Sequence, residues 1–182
     1  MRIKIFLAAV ITLWGMANGA SVFAQVVISD KQYNYQLTLP AAMKAYFSNS
    51  PSDSVTYYDT EKGVVLMIGG RKGSFKNVES YLDCSRQDLE KDLQAQQGDS
   101  TLRLIDCHRS PYYPRRSTVL HFETHAYSGH FERCLVYFFH CYGAELQFFF
   151  LYDKTRQGES LPYIDHIMHS LRLRQIDRII HQ

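Results

Sequence analysis

Two runs in the second half of the chain constrain its fold more than any other feature: Leu135-Val-Tyr-Phe-Phe139 and Phe148-Phe-Phe-Leu151. Both are short, aromatic and bounded by turn residues, which is the pattern of strands. Successive side chains of a strand point to opposite faces, so these two strands are apolar on both sides. A sheet built around them needs cover on both faces.

The neighbouring sequence supplies the rest of such a sheet. Strands are expected at Leu102–Cys107, Thr118–Tyr127, Phe131–His140 and Leu146–Tyr152. Ser128-Gly129 fits a two-residue hairpin turn, and Tyr142-Gly143 marks the next reversal. Together they read as an antiparallel meander. Towards the N-terminus, Tyr33, Tyr35, Leu37 and Leu39 alternate with polar residues, a strand stopped by Pro40. Ala41–Phe47 is expected as a short helix and Asn49–Ser54 as a turn-rich loop. Val55–Asp59 and Val64–Ile68 form a hairpin through Thr60-Glu-Lys-Gly63.

Two helices are available as cover. Ser80–Gln97 reads as about four turns, with Ser80-x-x-Asp83 as a capping box, Leu82, Leu89 and Leu93 on one face near Val78, and Gly98 as the stop. A second helix is expected from Ser160, with Pro162 in its first turn and a stripe of Leu161, Ile164, Met168 and Leu171. A short strand, Leu171–Gln175, follows it. The expected architecture is α+β: a mostly antiparallel sheet covered by helices.

This plan resembles the PsbP-like α/β/α sandwich family, which includes exported bacterial DcrB-like proteins. The resemblance rests on Tyr35-Gln-Leu-Thr-Leu-Pro40, the Ser80–Gln97 helix, the Thr118–Tyr152 meander and the closing Ile164–Leu173 run. It implies one PsbP-like domain and a role in binding partners or assisting assemblies.

The N-terminus has the order of a cleavable export signal. Arg2 and Lys4 precede an apolar run, Ile5–Trp14, and Val22-Phe-Ala24 ends the segment with a cleavage pattern. The run is shorter than the ~20 apolar residues that span a bilayer. Residues 1–24 are therefore expected to be a signal peptide and 25–182 a single domain. Loss of Arg2 and Lys4 from 20 basic residues leaves 18 against 18 acidic ones. A near-neutral domain has no general attraction to nucleic acid. The expected location is periplasmic or secreted, and the expected partner is another protein of the envelope or exterior.

Cys84, Cys107, Cys134 and Cys141 all lie beyond the signal, and no C-x-x-C pair occurs. An exported chain with an even cysteine count permits disulfides. With helix Ser80–Gln97 and strand Leu102–Cys107 back to back, Cys84 and Cys107 fall at about the same height. That favours a Cys84–Cys107 bridge, although Cys84 also points away from the leucine stripe. Cys134 and Cys141 are too far apart in one straight strand to bond, and Cys134 reads as a buried thiol.

Four segments carry chemistry worth weighing. His121, Glu123 and His125 alternate on one strand face, and the hairpin puts His125 opposite Glu132 and Glu123 opposite Cys134. Such a set can ligate a divalent ion. The plainer reading, a solvated polar face, is the expectation here, and no metal or cofactor is expected. Tyr112 and Tyr113, between two prolines and followed by Arg115 and Arg116, make a candidate binding loop, or a connector with its rings tucked in. Gly69-Gly-Arg-Lys-Gly-Ser74 lacks phosphate-loop spacing and reads as a basic loop. His166 and His169 lie off the apolar stripe of the last helix and read as solvent-facing. No nucleophile elbow is present, so no catalytic residue is assigned. The favoured reading is a non-enzymatic binding or accessory module. The alternatives are an immunity-type protein that neutralises or escorts a cognate protein, and a metal-dependent enzyme using the His121 strand.

Overall fold

A computed structural model describes residues 25–30, 33–46, 55–72, 78–125, 131–141 and 144–173. The expected signal segment, the Asn49–Ser54 loop and the turns at Ser128-Gly129 and Tyr142-Gly143 lie outside the described residues. The large sheet has seven antiparallel strands: β3 (Lys44–Tyr46), β4 (Val55–Asp59), β5 (Val64–Lys72), β6 (Arg103–Arg109), β7 (Ser117–Glu123), β8 (Phe131–Cys141) and β9 (Ala144–Asp153). Their order across the sheet is β3-β4-β5-β9-β8-β7-β6, so the two doubly apolar strands are central, as their composition requires.

Each face carries its own core. On one, Leu66, Phe139, Leu146, Phe148, Phe150 and Tyr152 pack against a second, three-stranded sheet and a helix. That sheet runs β1 (Gln25–Asp30), β2 (Tyr35–Pro40), β10 (Arg172–Leu173), with β2 central, and the helix is α3 (Gln157–His169). On the other face, Leu104, Leu120, Phe122, Cys134, Val136, Phe138 and Leu151 pack against Leu89 and Leu93 of α2 (Arg86–Gln97). Full burial of one such side chain contributes roughly 1.5–3 kcal/mol. The α+β sandwich with helical cover is therefore the observed fold.

Several local expectations change. The described part of the expected Ala41–Phe47 helix, residues 41–46, is not helical. A turn, with the Met43 amide donating to the Pro40 carbonyl at 3.0 Å, leads into edge strand β3. Pairing with β4, a non-local partner, overrides the helical propensity of the alanines. β1 has no strand pattern of its own in the sequence. It zips along the whole of β2, from Gln25 opposite Pro40 to Asp30 opposite Tyr35.

The long helix is two. α1 (Val78–Asp83) ends before Cys84, and α2 starts after Ser85. Ser85 is extended (φ −61°, ψ 146°), and its Oγ accepts from the Asp88 amide at 3.2 Å. The working cap is thus Ser85-x-x-Asp88, five residues beyond the expected one. Gly98 does end α2, in the left-handed conformation (φ 65°) that glycine tolerates best. α2 is fastened to β6 by Arg86 donating to the Leu104 carbonyl, Glu90 accepting from the Leu104 amide at 2.8 Å, and Gln94 donating to the Leu102 carbonyl at 2.9 Å. α3 begins three residues earlier than expected, so Pro162 sits inside it, and Ile167 joins Ile164 and Met168 in its buried stripe.

The Gly69–Lys72 part of the expected basic loop continues β5, pairing with Gln147 to Ala144 of β9. Here the glycine has a packing reason. A Cβ on Gly70 would lie 2.5 Å from the Tyr33 ring, so only glycine admits that ring.

Candidate functional site

The polar cluster around His121 forms where strand register gathers charged side chains on the α3-side face, at the β6–β7 end of the sheet. Asp106 lies opposite His121, and Glu123 lies opposite Arg133. The expected pairing of Glu123 with Cys134 is off by one residue. Phe122 faces Cys134 instead, and a one-residue slip exchanges the two faces of a strand. Cys134 therefore enters the α2-side core, where burial pushes its thiol pKa well up.

His121 Nε2 and the Tyr152 hydroxyl share a hydrogen bond of 2.7 Å. Burial lowers the imidazole pKa, and Arg133 and His108 lower it further against the opposing pull of Asp106. Burial raises the Tyr152 phenol to about 12. Glu123 bonds Lys154 Nζ at 2.6 Å and Arg133 Nη2 at 3.2 Å, and these cations hold its carboxyl below the usual range. His108 Nδ1 meets Asp106 at 2.9 Å.

His125 lies at the margin of this cluster, where its charge adds the smallest of the effects that lower the Glu123 carboxyl. β7 ends at Glu123, Thr124 turns inward, and His125 is exposed beyond the strand end. The cause is Asp99, a buried carboxylate that accepts from Thr124 Oγ1 at 2.5 Å and from the His125 amide at 2.8 Å. It also accepts from the amide and hydroxyl of Thr101. These bonds, those from the Thr101 and Thr124 hydroxyls foremost, hold Asp99 far below a normal carboxylate pKa. The side chain of Glu132 lies outside the described residues. Of the four residues expected on one polar face, the structure brings together His121 and Glu123 and adds Tyr152 and Arg133 from other strands and Lys154 from the 3-10 turn after β9. Among the described residues, no three His, Cys, Asp or Glu side chains converge as a metal site would require.

The Tyr112 loop uses its rings inside the molecule. Tyr112 is half-buried, its hydroxyl reaches the Asp165 carboxylate on α3, and its ring lies 6.2 Å from both Tyr137 and His169. Tyr113 has φ 53° and receives the Leu173 amide on its hydroxyl at 3.2 Å. Arg115 is exposed and Arg116 half-buried. His166 and His169 are exposed on α3, as expected. Cys84, Cys107 and Cys134 are free thiols, so the Cys84–Cys107 bridge is not formed in this structure.

A different feature was not legible from residue spacing. α1 lies over β6, β7 and β8, and α2 lies against β6. The same face continues across β9, β5, β4 and β3 through Phe149, Met67, Thr56 and Tyr46, and through Leu151, Val65, Tyr58 and Lys44. Phe149, Met67, Val65 and Tyr58 are partly exposed there, and Tyr46 is 60% exposed. Among the described residues, the helical layer lies over β6, β7 and β8, and the rest of the face carries partly exposed apolar and aromatic side chains, with Lys44 and Tyr46 at its edge.

No protein-family profile and no curated protein matches the chain. Among solved structures, the PsbP protein CyanoP from Synechocystis sp. PCC 6803 superposes with a TM-score of 0.62 at 16% identity, covering 87% of this chain and 98% of that one. A Bacteroides thetaiotaomicron protein gives a TM-score of 0.42 at 13% identity, over 79% of this chain and 46% of that one. Among the described residues, no helix is long and apolar enough to cross a membrane. With a seven-stranded antiparallel sheet, helices on both faces and near-complete coverage of CyanoP, the chain has the PsbP-like fold.

Proposed function

We propose that the chain is an exported, non-enzymatic accessory module that binds another protein of the envelope or exterior. The half-covered sheet face carries this reading. A face with Met67, Phe149, Tyr58 and Tyr46 partly open to solvent has the residue types that protein interfaces favour. A partner seated there would complete the layer that α1 and α2 begin. The accessory role implied by the PsbP-like resemblance supports the same reading, and so does the basic–apolar–small order of residues 1–24. His121 pairs with Tyr152, and Glu123 pairs with Arg133 and Lys154, which suits a structural role on that face, although the buried Arg133 Nε has no hydrogen-bond partner among the described residues.

The test is photo-crosslinking in intact cells, with a photoreactive residue replacing Met67 or, as a control, exposed Arg103 on the β6 edge. The reading expects a discrete larger adduct from position 67 and none from 103. Equal adducts from both positions, no adduct from 67, or an adduct of twice the chain's mass would each contradict it.

A further inference from the structure

We infer that Cys84 and Cys107 are a redox-switched pair whose disulfide clamps the α1–α2 junction to the β6 edge. Three features of the fold place them near each other, without bringing the two thiols to bonding distance in this structure. The first is the irregularity in β6 between Leu104 and Asp106. Leu104 lies opposite Phe122 on the helix-covered face. Strict alternation from Leu104 would turn Cys107 to the other face. The inserted residue instead puts Cys107 opposite Leu120, facing the helices.

The second feature is the contact of Cys107 Sγ with the Tyr81 carbonyl oxygen at 3.7 Å. A helical carbonyl points along the axis towards the residues three and four positions on. From Tyr81 those are Cys84 and Ser85, so the Cys107 sulfur rests beside the end of α1 where Cys84 follows.

The third is the break itself. Cys84 is exposed, and the extended Ser85 frees it from helical geometry. The electrostatic influence of Cys84 on Cys107 agrees with this proximity. Burial chiefly, then Asp106 and Cys84, raise the Cys107 thiol to about 11.

These environments assign the roles. Exposed Cys84 meets the oxidant, which is a disulfide: oxidised glutathione or the disulfide of an envelope thiol oxidase. The Cys84 thiol loses its proton and its thiolate attacks one sulfur, giving a mixed disulfide and releasing one thiolate. Cys107 then loses its proton and attacks the Cys84 sulfur, releasing the second thiolate. The two released thiolates take up the two protons. Two thiols are oxidised and one disulfide is reduced. Cys134, buried between strands, takes no part.

The proposal does not depend on the binding reading and is tested on the purified chain. Trypsin separates the two cysteines at Arg86, Lys91 and Arg103, and leaves Cys134 and Cys141 together on a third peptide. After equilibration in excess oxidised glutathione and quenching with an alkylating agent, mass mapping should find the Cys84 peptide linked to the Cys107 peptide. The closed loop of about 24 residues should raise the urea midpoint by about 1.5 M over the reduced protein. That difference should vanish in Cys84→Ser. Linkage of Cys84 to the Cys134–Cys141 peptide, free Cys84 and Cys107 in excess oxidant, or a midpoint difference that survives in Cys84→Ser would overturn the assignment.

Discussion

Phe148 and Phe149 are adjacent in sequence and chemically identical, yet truncating them should have very different costs. Phe148 is fully buried on the α3 side. It meets Tyr35 edge-on at 5.6 Å and Phe139 edge-on at 5.7 Å. Removing a buried phenyl leaves a cavity in a packed core, and Phe148→Ala should cost about 4 kcal/mol. Phe149 points to the opposite face, where helical cover gives out, and is only partly buried. Phe149→Ala should cost about 1–2 kcal/mol, in proportion to the smaller area it removes from water. At a urea slope of about 2 kcal/mol per molar, the midpoint falls by about 2 M in the first variant and by about 0.5–1 M in the second. Far-ultraviolet circular dichroism reads both, since the single tryptophan lies at position 14. An equal loss in the two variants, or a larger one for Phe149→Ala, would refute the half-covered face.

Three further outcomes are expected. Asp99 is held ionised by its hydrogen bonds, so its folded pKa lies below its unfolded value of about 3.9. Its stabilisation is therefore present above about pH 4 and lost as pH falls below it. Acid unfolding of Asp99→Asn should be shallower in that range than that of the native chain, and parallel curves would contradict this. His121 has its folded pKa lowered, so it favours the fold above about pH 6.5 and destabilises it as pH falls through that value. Its imidazole should titrate by NMR below about 6.5, and a midpoint above that would show that Asp106 outweighs burial and Arg133. If the segment ending at Ala24 is removed on export, protein purified from the envelope carries no Trp14 and shows no indole emission. Such emission would mean that the segment is retained.

The meander was legible because Leu135–Phe139 and Phe148–Leu151 carry apolar side chains on both faces, a demand that only central strands with two covers meet. Leu89, Leu93 and Gly98 were legible for a similar reason, since burial and capping are local in sequence. The break at Cys84–Ser85 was not. Ser80-x-x-Asp83 and Ser85-x-x-Asp88 satisfy the same capping pattern, and the choice between them depends on how α2 is fastened to β6. β1 and β3 are not legible in the sequence because each is held by a partner strand rather than by its own pattern. At the polar cluster, the shared face of His121 and Glu123 followed from alternation. Tyr152 and Arg133 arrive from other strands and Lys154 from the 3-10 turn after β9, and the one-residue register difference decides that Glu123 meets Arg133 rather than Cys134. The half-open face is a property of where α1 and α2 stop, which no spacing of residues records.

If the partly open face is a docking surface, it is occupied when the protein is at work. Hydroxyl-radical footprinting of the chain in isolated envelopes, compared with the purified chain, measures this at Met67 and Tyr46, with His108 on the exposed β6 edge as the reference. Oxidation of Met67 and Tyr46 should fall several-fold in the envelope while His108 is unchanged. Equal labelling of Met67 and Tyr46 in the two samples would contradict the claim.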